Sequence, residues 1–162
     1  MITAPPENST IFIREAISKD APLLTALRRG SISKWGYSNE LIQTLMGEII
    51  IPEELLYTNE HIFVLVKADL PLGFYRFVYH QSKHVSELVD FYVDLPHMNK
   101  GFGKRLWQDA VKRSLALGAS WLDIVSDPHA ERFYLDWGAV RVGNKLSPAD
   151  PNITLLTLRY KL

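Results

Sequence analysis

One short segment of this sequence has the residue types needed to hold a phosphate group: Met98-Asn99-Lys100-Gly101-Phe102-Gly103-Lys104-Arg105. It joins an apolar strand pattern to an amphipathic helix pattern, so the free N–H groups of the first helical turn would favour a bound anion. The two glycines have no Cβ and let the backbone approach a ligand closely. Three side chains add positive charge: Lys100, Lys104 and Arg105. The segment predicts a phosphate cradle, although a plain structural turn can have the same pair of glycines.

Length and composition predict a single domain over residues 1–162, with residues 1–10 as a flexible leader. A chain of 162 residues that is 47% hydrophobic can bury a core without covalent crosslinks. It contains no apolar run near the roughly 20 residues that span a bilayer, and it does not begin with a signal peptide pattern. We therefore expect a soluble cytoplasmic protein with no membrane partner.

Charge and residue content narrow the chemistry further. The formal net charge is zero, which argues against a nucleic acid partner, because such proteins usually carry a basic face. The absence of cysteine excludes disulfides, thiolate catalysis and cysteine metal sites. The five histidines lack the spacing of a metal motif, so we expect no metal and interpret them as loop residues: His61, His80, His84, His97 and His129.

The first half of the sequence predicts a strand, two helices and a hairpin. The elements are a strand at 11–14, a helix after the capping residues 18–20, a helix at 38–45, and strands at 61–67 and 72–79. The first helix carries four apolar residues: Leu23, Leu24, Leu27 and Ile32. Pro52 interrupts the pattern after the second helix. The two strands are joined by residues 68–71.

The second half alternates strands with helices. The elements are a strand at 85–93, the helix after the glycine segment, a strand at 121–125, a helix starting at Asp127-Pro128, and strands at 140–142 and 153–160. The first of these helices has the apolar stripe Leu106, Trp107, Ala110, Val111 and Leu117, and the second has Ala130, Phe133, Tyr134 and Trp137. This order predicts a mixed sheet with helices on its faces, and a parallel crossover from 85–93 to 121–125.

Three motifs, in this order, resemble the GNAT superfamily of acetyl-CoA-dependent N-acetyltransferases. They are Glu87-Leu88-Val89-Asp90-Phe91-Tyr92-Val93, Met98-Asn99-Lys100-Gly101-Phe102-Gly103, and Asp127-Pro128-His129-Ala130-Glu131-Arg132-Phe133-Tyr134-Leu135-Asp136-Trp137-Gly138-Ala139. Residues 13–14 and 72–74 fit the family more loosely. The resemblance implies an α/β fold with a mixed, mostly antiparallel sheet of about six to seven strands and about four helices.

The resemblance also implies acetyl-CoA as the acyl donor, bound without a metal. Family members hold the cofactor's pyrophosphate with backbone N–H groups of the glycine loop, where Met98 replaces the usual Arg or Gln and Asn99 replaces a common Gly. They hold the pantetheine arm along the preceding strand, and an Asn at the position of Asp127 often contacts the cofactor. The implied cofactor-binding residues are Phe91, Tyr92, Val93, Met98, Asn99, Lys100, Gly101, Phe102, Gly103, Lys104 and Asp127.

Two side chains are candidates for catalysis of amine acetylation. Strand alternation from Val85 puts Glu87 on the same face as Val89, Phe91 and Val93, where apolar surroundings would raise the pKa of its carboxyl group and suit it to act as a base. The alternatives are that a bulge turns it outward or that an arginine pairs with it. Tyr134 matches the family tyrosine that protonates the departing thiolate, although it also fits core packing.

The acceptor site is predicted to have aromatic walls, with Trp35, Tyr37 and Tyr75 as substrate-binding residues and Phe74 in the core. The favoured function is transfer of an acetyl group to a primary amine of a small molecule or peptide by direct attack in a ternary complex. The alternatives are an acyl-CoA-binding regulatory module with weak catalysis, and an acetyltransferase for a protein or an aminoacyl-tRNA. We also expect that strand 153–160 lies near a sheet edge, where a homodimer could cover it.

Overall fold

The computed structural model describes residues 9–45, 47 and 59–162, which contain seven strands and four α-helices. The elements are β1 (Ile11–Glu15), α1 (Ala21–Ser33), α2 (Asn39–Leu45), β2 (Glu60–Lys67), β3 (Leu70–His80), β4 (Val85–Val93), α3 (Phe102–Ala116), β5 (Trp121–Ser126), α4 (Glu131–Asp136), β6 (Val140–Leu146) and β7 (Thr154–Lys161). None of the described helices is long and apolar enough to cross a membrane. Pro52 and residues 1–8 of the expected leader lie outside the described residues.

All seven strands form one sheet in the order β1-β2-β3-β4-β5-β7-β6. The pairs are antiparallel except for β4 and β5, which run parallel and are connected through α3. The expected mixed, mostly antiparallel α/β fold is therefore confirmed, and so is the parallel crossover. It places the glycine segment at the carboxyl end of β4.

The hairpin between β2 and β3 is tighter than the sequence pattern suggested. Its turn is only Ala68 and Asp69, with φ angles of 48° and 62°. Two successive residues with positive φ make the type of turn whose twist matches that of the flanking strands. β3 consequently starts at Leu70, within the segment predicted as a loop.

The sheet is covered on both faces, because successive strand residues contribute to two separate cores. On one face, residues such as Phe63, Leu65 and Phe77 pack with Leu106 and Trp107 of α3. On the other face, Ile62, Val64 and Phe74 pack with Leu24 and Leu27 of α1. The position of Phe74 in a core confirms its prediction.

The apolar stripes of α1 and α3 are narrower than predicted. Leu23 is 42% exposed because it lies on the outer side of α1, next to the buried Leu24. Leu117 is 39% exposed and follows the last residue of α3. The expectation that these two leucines pack in the core is therefore wrong.

Asp20 was expected among the capping residues of α1, but its carboxylate points back toward β1. It accepts hydrogen bonds from the two terminal nitrogens of Arg14 at 2.7 and 3.0 Å, and from the backbone N–H of Ile17 at 2.9 Å. The carboxylate does not cap α1, because the bidentate pair with Arg14 satisfies both of its oxygens. It ties the end of β1 to the start of α1.

The last strand lies near a sheet edge, as predicted, but it does not form the edge itself. β7 lies between β5 and β6, and its residues Leu156 and Leu158 are buried. The apolar character of β7 therefore reflects an interior strand. The edge strand on this side of the sheet is β6, in which Val140, Val142 and Leu146 are exposed.

Leu106 and Leu115 on α3 offer a matched test of the core. Leu106 is fully buried against the sheet, whereas Leu115 is 50% exposed. We expect Leu106→Ala to lower the free energy of unfolding by about 2–5 kcal/mol, and Leu115→Ala to lower it by less than about 1 kcal/mol. Urea unfolding curves measure both, and equal losses would contradict the described packing of α3.

Candidate active site

The candidate site begins where the two parallel strands separate. β4 and β5 pair in register from Val85 with Trp121 to Leu88 with Ile124, and the pairing stops there. β4 continues to Val93, while Val125 and Ser126 of β5 pair only with β7. A cavity of about 640 Å³ opens in the gap, lined by the last five residues of β4 and by residues 125–127.

The glycine segment borders this cavity, and its backbone has a conformation with positive φ that few residue types adopt. Asn99 and Gly101 have φ angles of 60° and 83°, and Gly101 immediately precedes the first residue of α3. Asparagine tolerates this left-handed region better than most side chains do, so Asn99 can replace a glycine here. A Cβ on Gly103 would lie 3.0 Å from Cζ of Phe133, and hence α4 packs against the bare backbone of α3.

Only part of the predicted cradle faces the cavity. Met98, Asn99 and Gly103 line it, as do Phe91, Tyr92, Val93 and Asp127. The other predicted cofactor residues belong to the same loop and first helical turn but are not part of the lining: Lys100, Gly101, Phe102 and Lys104. The side chains of Lys100 and Lys104 are exposed.

A bulge in β4 changes the face on which Glu87 lies. Arg76 of β3 pairs with Asp90, but the next residue, Phe77, pairs with Leu88, so Val89 has no partner in the register. The extra residue breaks the alternation of side chains. Glu87 therefore shares a face with Asp90 and Tyr92, and the expectation that it shares one with Phe91 and Val93 is wrong.

Glu87 lines the cavity next to a histidine. Its Oε2 lies 3.1 Å from Nε2 of His80, and both side chains are about one third exposed, at 36% and 35%. The surroundings of this carboxylate are therefore polar and partly hydrated, unlike the apolar face expected from strand alternation. His80 is the last residue of β3, and His61 lies in β2, where its ring stacks on Phe77 of β3. The interpretation of all five histidines as loop residues is therefore wrong for these two.

Asp90 is the functional candidate that the sequence patterns missed. Its side chain is 3% exposed at the bulge, with Oδ1 3.1 Å from Nη1 of Arg28 and Oδ2 2.5 Å from Nη2 of Arg76. Arg28 comes from α1 and also donates a hydrogen bond to the carbonyl of Gly47. The only sequence signal was an acid inside an apolar strand run. Its two partners lie on α1 and β3, too far along the chain to be inferred from spacing.

Tyr134 and Tyr92 place two phenols beside this carboxylate, of which Tyr134 is buried and Tyr92 is half-buried. Burial raises the pKa of Tyr134, and the negative charge of Asp90 raises it further. Burial and Asp90 raise the pKa of Tyr92 in the same way. Both phenols therefore stay protonated at neutral pH, and both side chains line the cavity.

Asp127 ties the cavity wall to the connection between α1 and α2. Its Oδ1 accepts from the backbone N–H of His129 at 2.8 Å, which confirms the predicted cap, and its Oδ2 accepts from the hydroxyl of Tyr37 at 2.8 Å. Burial and this hydrogen bond raise the pKa of Tyr37 to about 12. Trp35 stacks on the His129 ring with centroids 5.6 Å apart.

The predicted acceptor residues separate into two groups. Trp35 and Tyr37 line the cavity. Tyr75 is fully buried in the core on the α3 face, where its hydroxyl donates to Oδ2 of Asp109 at 2.7 Å. The assignment of Tyr75 to the acceptor wall is therefore wrong, because its place in β3 turns its ring toward α3.

The sequence matches the model of the acetyltransferase (GNAT) family over residues 31–139, which is more than half of the chain. The match includes β4, the glycine segment and residues 127–139. The chain therefore belongs to the GNAT acetyltransferase family. No curated protein shows significant sequence similarity to it.

Solved structures of acetyltransferases share the whole fold. PaiA N-acetyltransferase from Thermoplasma acidophilum, in complex with coenzyme A, has a TM-score of 0.71 and 19% identity, over 94% of this chain and 99% of that one. An N-acetyltransferase from Staphylococcus aureus Mu50 has a TM-score of 0.72 and 18% sequence identity, over 94% of this chain and 99% of that one. An aminoglycoside 6′-N-acetyltransferase complexed with coenzyme A has a TM-score of 0.69 and 15% sequence identity, over 93% of this chain and 96% of that one.

Replacing Asp90 tests whether the buried ion cluster supports the fold at the bulge. Asp90→Asn removes the charge that balances Arg28 and Arg76, so we expect it to lower the free energy of unfolding by about 3–5 kcal/mol. Asp136→Asn is the matched control, because Asp136 pairs with Arg132 on the surface of α4 and should contribute less than about 1 kcal/mol. Urea unfolding that shows similar losses for both variants would contradict the role given to Asp90.

Proposed function

We propose that this protein is an N-acetyltransferase that moves an acetyl group from acetyl-CoA to a primary amine of a small molecule or peptide. The observation that carries the proposal is the cavity at the separation of β4 and β5, which is bordered by the glycine segment. Two of the similar structures contain coenzyme A, and one of them is an enzyme for aminoglycosides, which supports an amine acceptor.

The residues present fit the proposed acyl donor. Where β4 leaves β5, the backbone of residues 89–93 loses its sheet partner on one side and can bind the amides of a pantetheine arm. The first N–H groups of α3, preceded by Asn99 and Gly101 with positive φ, can receive a pyrophosphate. When bound, acetyl-CoA supplies an activated thioester, and the chain supplies the geometry for direct attack by the amine.

Catalysis requires a neutral amine, stabilisation of the oxyanion and a proton for the departing thiolate. We assign the last role to Tyr134, because its buried phenol is protonated and lines the cavity beside Phe91 and Phe133. Glu87 is the candidate for accepting the amine proton, directly or through water, because its carboxylate lines the same cavity.

The acceptor is proposed to enter beside the connection between α1 and α2. Trp35 and Tyr37 line this part of the cavity, together with Asp127 and residues 147–149 of the β6–β7 connection. Aromatic rings beside a carboxylate suit an amine, which is a cation before its deprotonation. Peptides and small polar amines both satisfy this chemistry.

Release of free thiol from acetyl-CoA, measured across a panel of small amines, amino acids, peptides and an aminoglycoside, tests the function. We expect release that depends on one class of amine, with a product heavier by one acetyl group. Binding of acetyl-CoA without release for any amine would contradict the proposal and favour an acyl-CoA-binding module. If only proteins are acetylated, the acceptor is a macromolecule and the small-molecule or peptide acceptor is wrong.

Tyr134→Phe removes only the hydroxyl that is proposed to donate a proton to the thiolate. We expect kcat to fall by about 10²-fold, at the lower end of general acid contributions, while the affinity for acetyl-CoA stays unchanged. Tyr160→Phe is the matched control, because the ring of Tyr160 packs on Trp107 in the same aromatic cluster and is not part of the cavity lining. An unchanged kcat for Tyr134→Phe would remove Tyr134 from the mechanism.

Glu87→Gln tests the base in the same assay through the pH dependence of kcat/KM. We expect the fall in rate on the acidic side to disappear, because the glutamine has no carboxyl group to protonate. Asp123→Asn is the control, since Asp123 pairs with Glu87 in the sheet register but forms an ion pair with Arg159. If Glu87→Gln keeps the acidic limb, another group acts as the base.

A further inference from the structure

The basic residues of the glycine segment do not face the cavity, although the sequence suggested that they would supply its positive charge. Lys100 and Lys104 are exposed and outside the lining. Nη2 of Arg105 donates to the carbonyl of Ile11 at 2.7 Å, so this side chain joins α3 to β1. Met98, at the position where the family has Arg or Gln, is uncharged.

The cations that do line the cavity come from other elements. Among the described residues they are Arg28, Lys34, Arg76 and Lys145. Arg28 and Arg76 are held by Asp90. Lys145 belongs to β6, whereas Lys34 directly follows the last residue of α1.

Lys34 lies against the first residue of the glycine segment. Its Nζ is 3.1 Å from Sδ of Met98, although the two residues are 64 positions apart in the chain. A thioether is a weak acceptor and has no charge to balance that of an ammonium group. Asn99, which precedes α3, and Gly103, in its first turn, line the same cavity as Lys34, so this end of α3 and the ammonium group border a common space.

We propose that Lys34 is a binding residue for the pyrophosphate of acetyl-CoA, and that it replaces the polar side chain that Met98 lacks. This inference rests on the proposed function, because it names a further residue of that same site. A lysine at this point adds a compact positive charge to backbone N–H groups that carry only partial charge. The uncharged Met98 lets the ammonium group approach, whereas an arginine at position 98 would repel it.

Calorimetric titration of the purified chain with three ligands tests the assignment without an acceptor. The ligands are coenzyme A, dephospho-coenzyme A, which lacks the 3′-phosphate, and pantetheine, which lacks all phosphates and is measured by competition. We expect Lys34→Gln to weaken the binding of both phosphorylated ligands by about tenfold or more, as for loss of one charge-assisted hydrogen bond, and to leave pantetheine unaffected. Lys34→Arg should keep most of the affinity.

Two further variants serve as a control and as a rescue for the Lys34→Gln titrations. Lys112→Gln removes the same charge from the exposed side of α3 and should leave all three affinities unchanged. Met98→Arg in the Lys34→Gln background should restore binding of the phosphorylated ligands, because the cation then comes from the loop itself.

The possible results separate the inference from the function on which it rests. An equal loss of affinity for all three ligands in Lys34→Gln would show that Lys34 only maintains the shape of the pocket. A loss of affinity for coenzyme A alone would show that Lys34 binds the 3′-phosphate. Either result overturns the proposal. Unchanged affinities in Lys34→Gln would also overturn it while leaving the acetyltransferase proposal intact. No binding of coenzyme A to the unmodified chain would instead overturn the proposed function.

Discussion

β4 separates from β5 after Leu88 and Ile124, and the cavity and its surroundings follow from this early end of the pairing. A parallel pair that continued to Val93 would fill the gap with backbone hydrogen bonds and leave no cavity. Because the pair ends early, the chain must cover the backbone of residues 89–93 with other groups. α1 does so in part, since the hydroxyl of Ser31 donates to the carbonyl of Val93 at 2.8 Å.

The bulge at Val89 and the buried Asp90 belong to this same separation. The bulge brings Asp90 to the α1 face, where Arg28 and Arg76 balance its charge. A buried carboxylate without such partners would be strongly unfavourable. The cluster therefore fixes α1 against β3 and β4, and it places a fixed negative charge near Tyr134 and Tyr92, whose phenols it helps to keep protonated.

The sequence predicted the order of elements well because their signals are local. The apolar run 85–93, the glycines at 101 and 103, and the Asp127-Pro128 cap each act within a few residues, and all three occur where expected. Local signals could not predict which side chains of β4 share a face of the sheet, or where β7 stands in the strand order. A bulge depends on the register with β3, and the interior position of β7 depends on which strands it meets. Asp90 and Lys34 were missed for the same reason, because their partners are far away in the chain.

A crystal structure of the chain with coenzyme A would show whether the separation of β4 and β5 is the acyl donor site. We expect the pantetheine arm along residues 89–93 of β4, the thiol beside Tyr134, and the pyrophosphate on the N–H groups of residues 99–103. Coenzyme A bound elsewhere on the chain, with the cavity between β4 and β5 unfilled, would overturn this assignment.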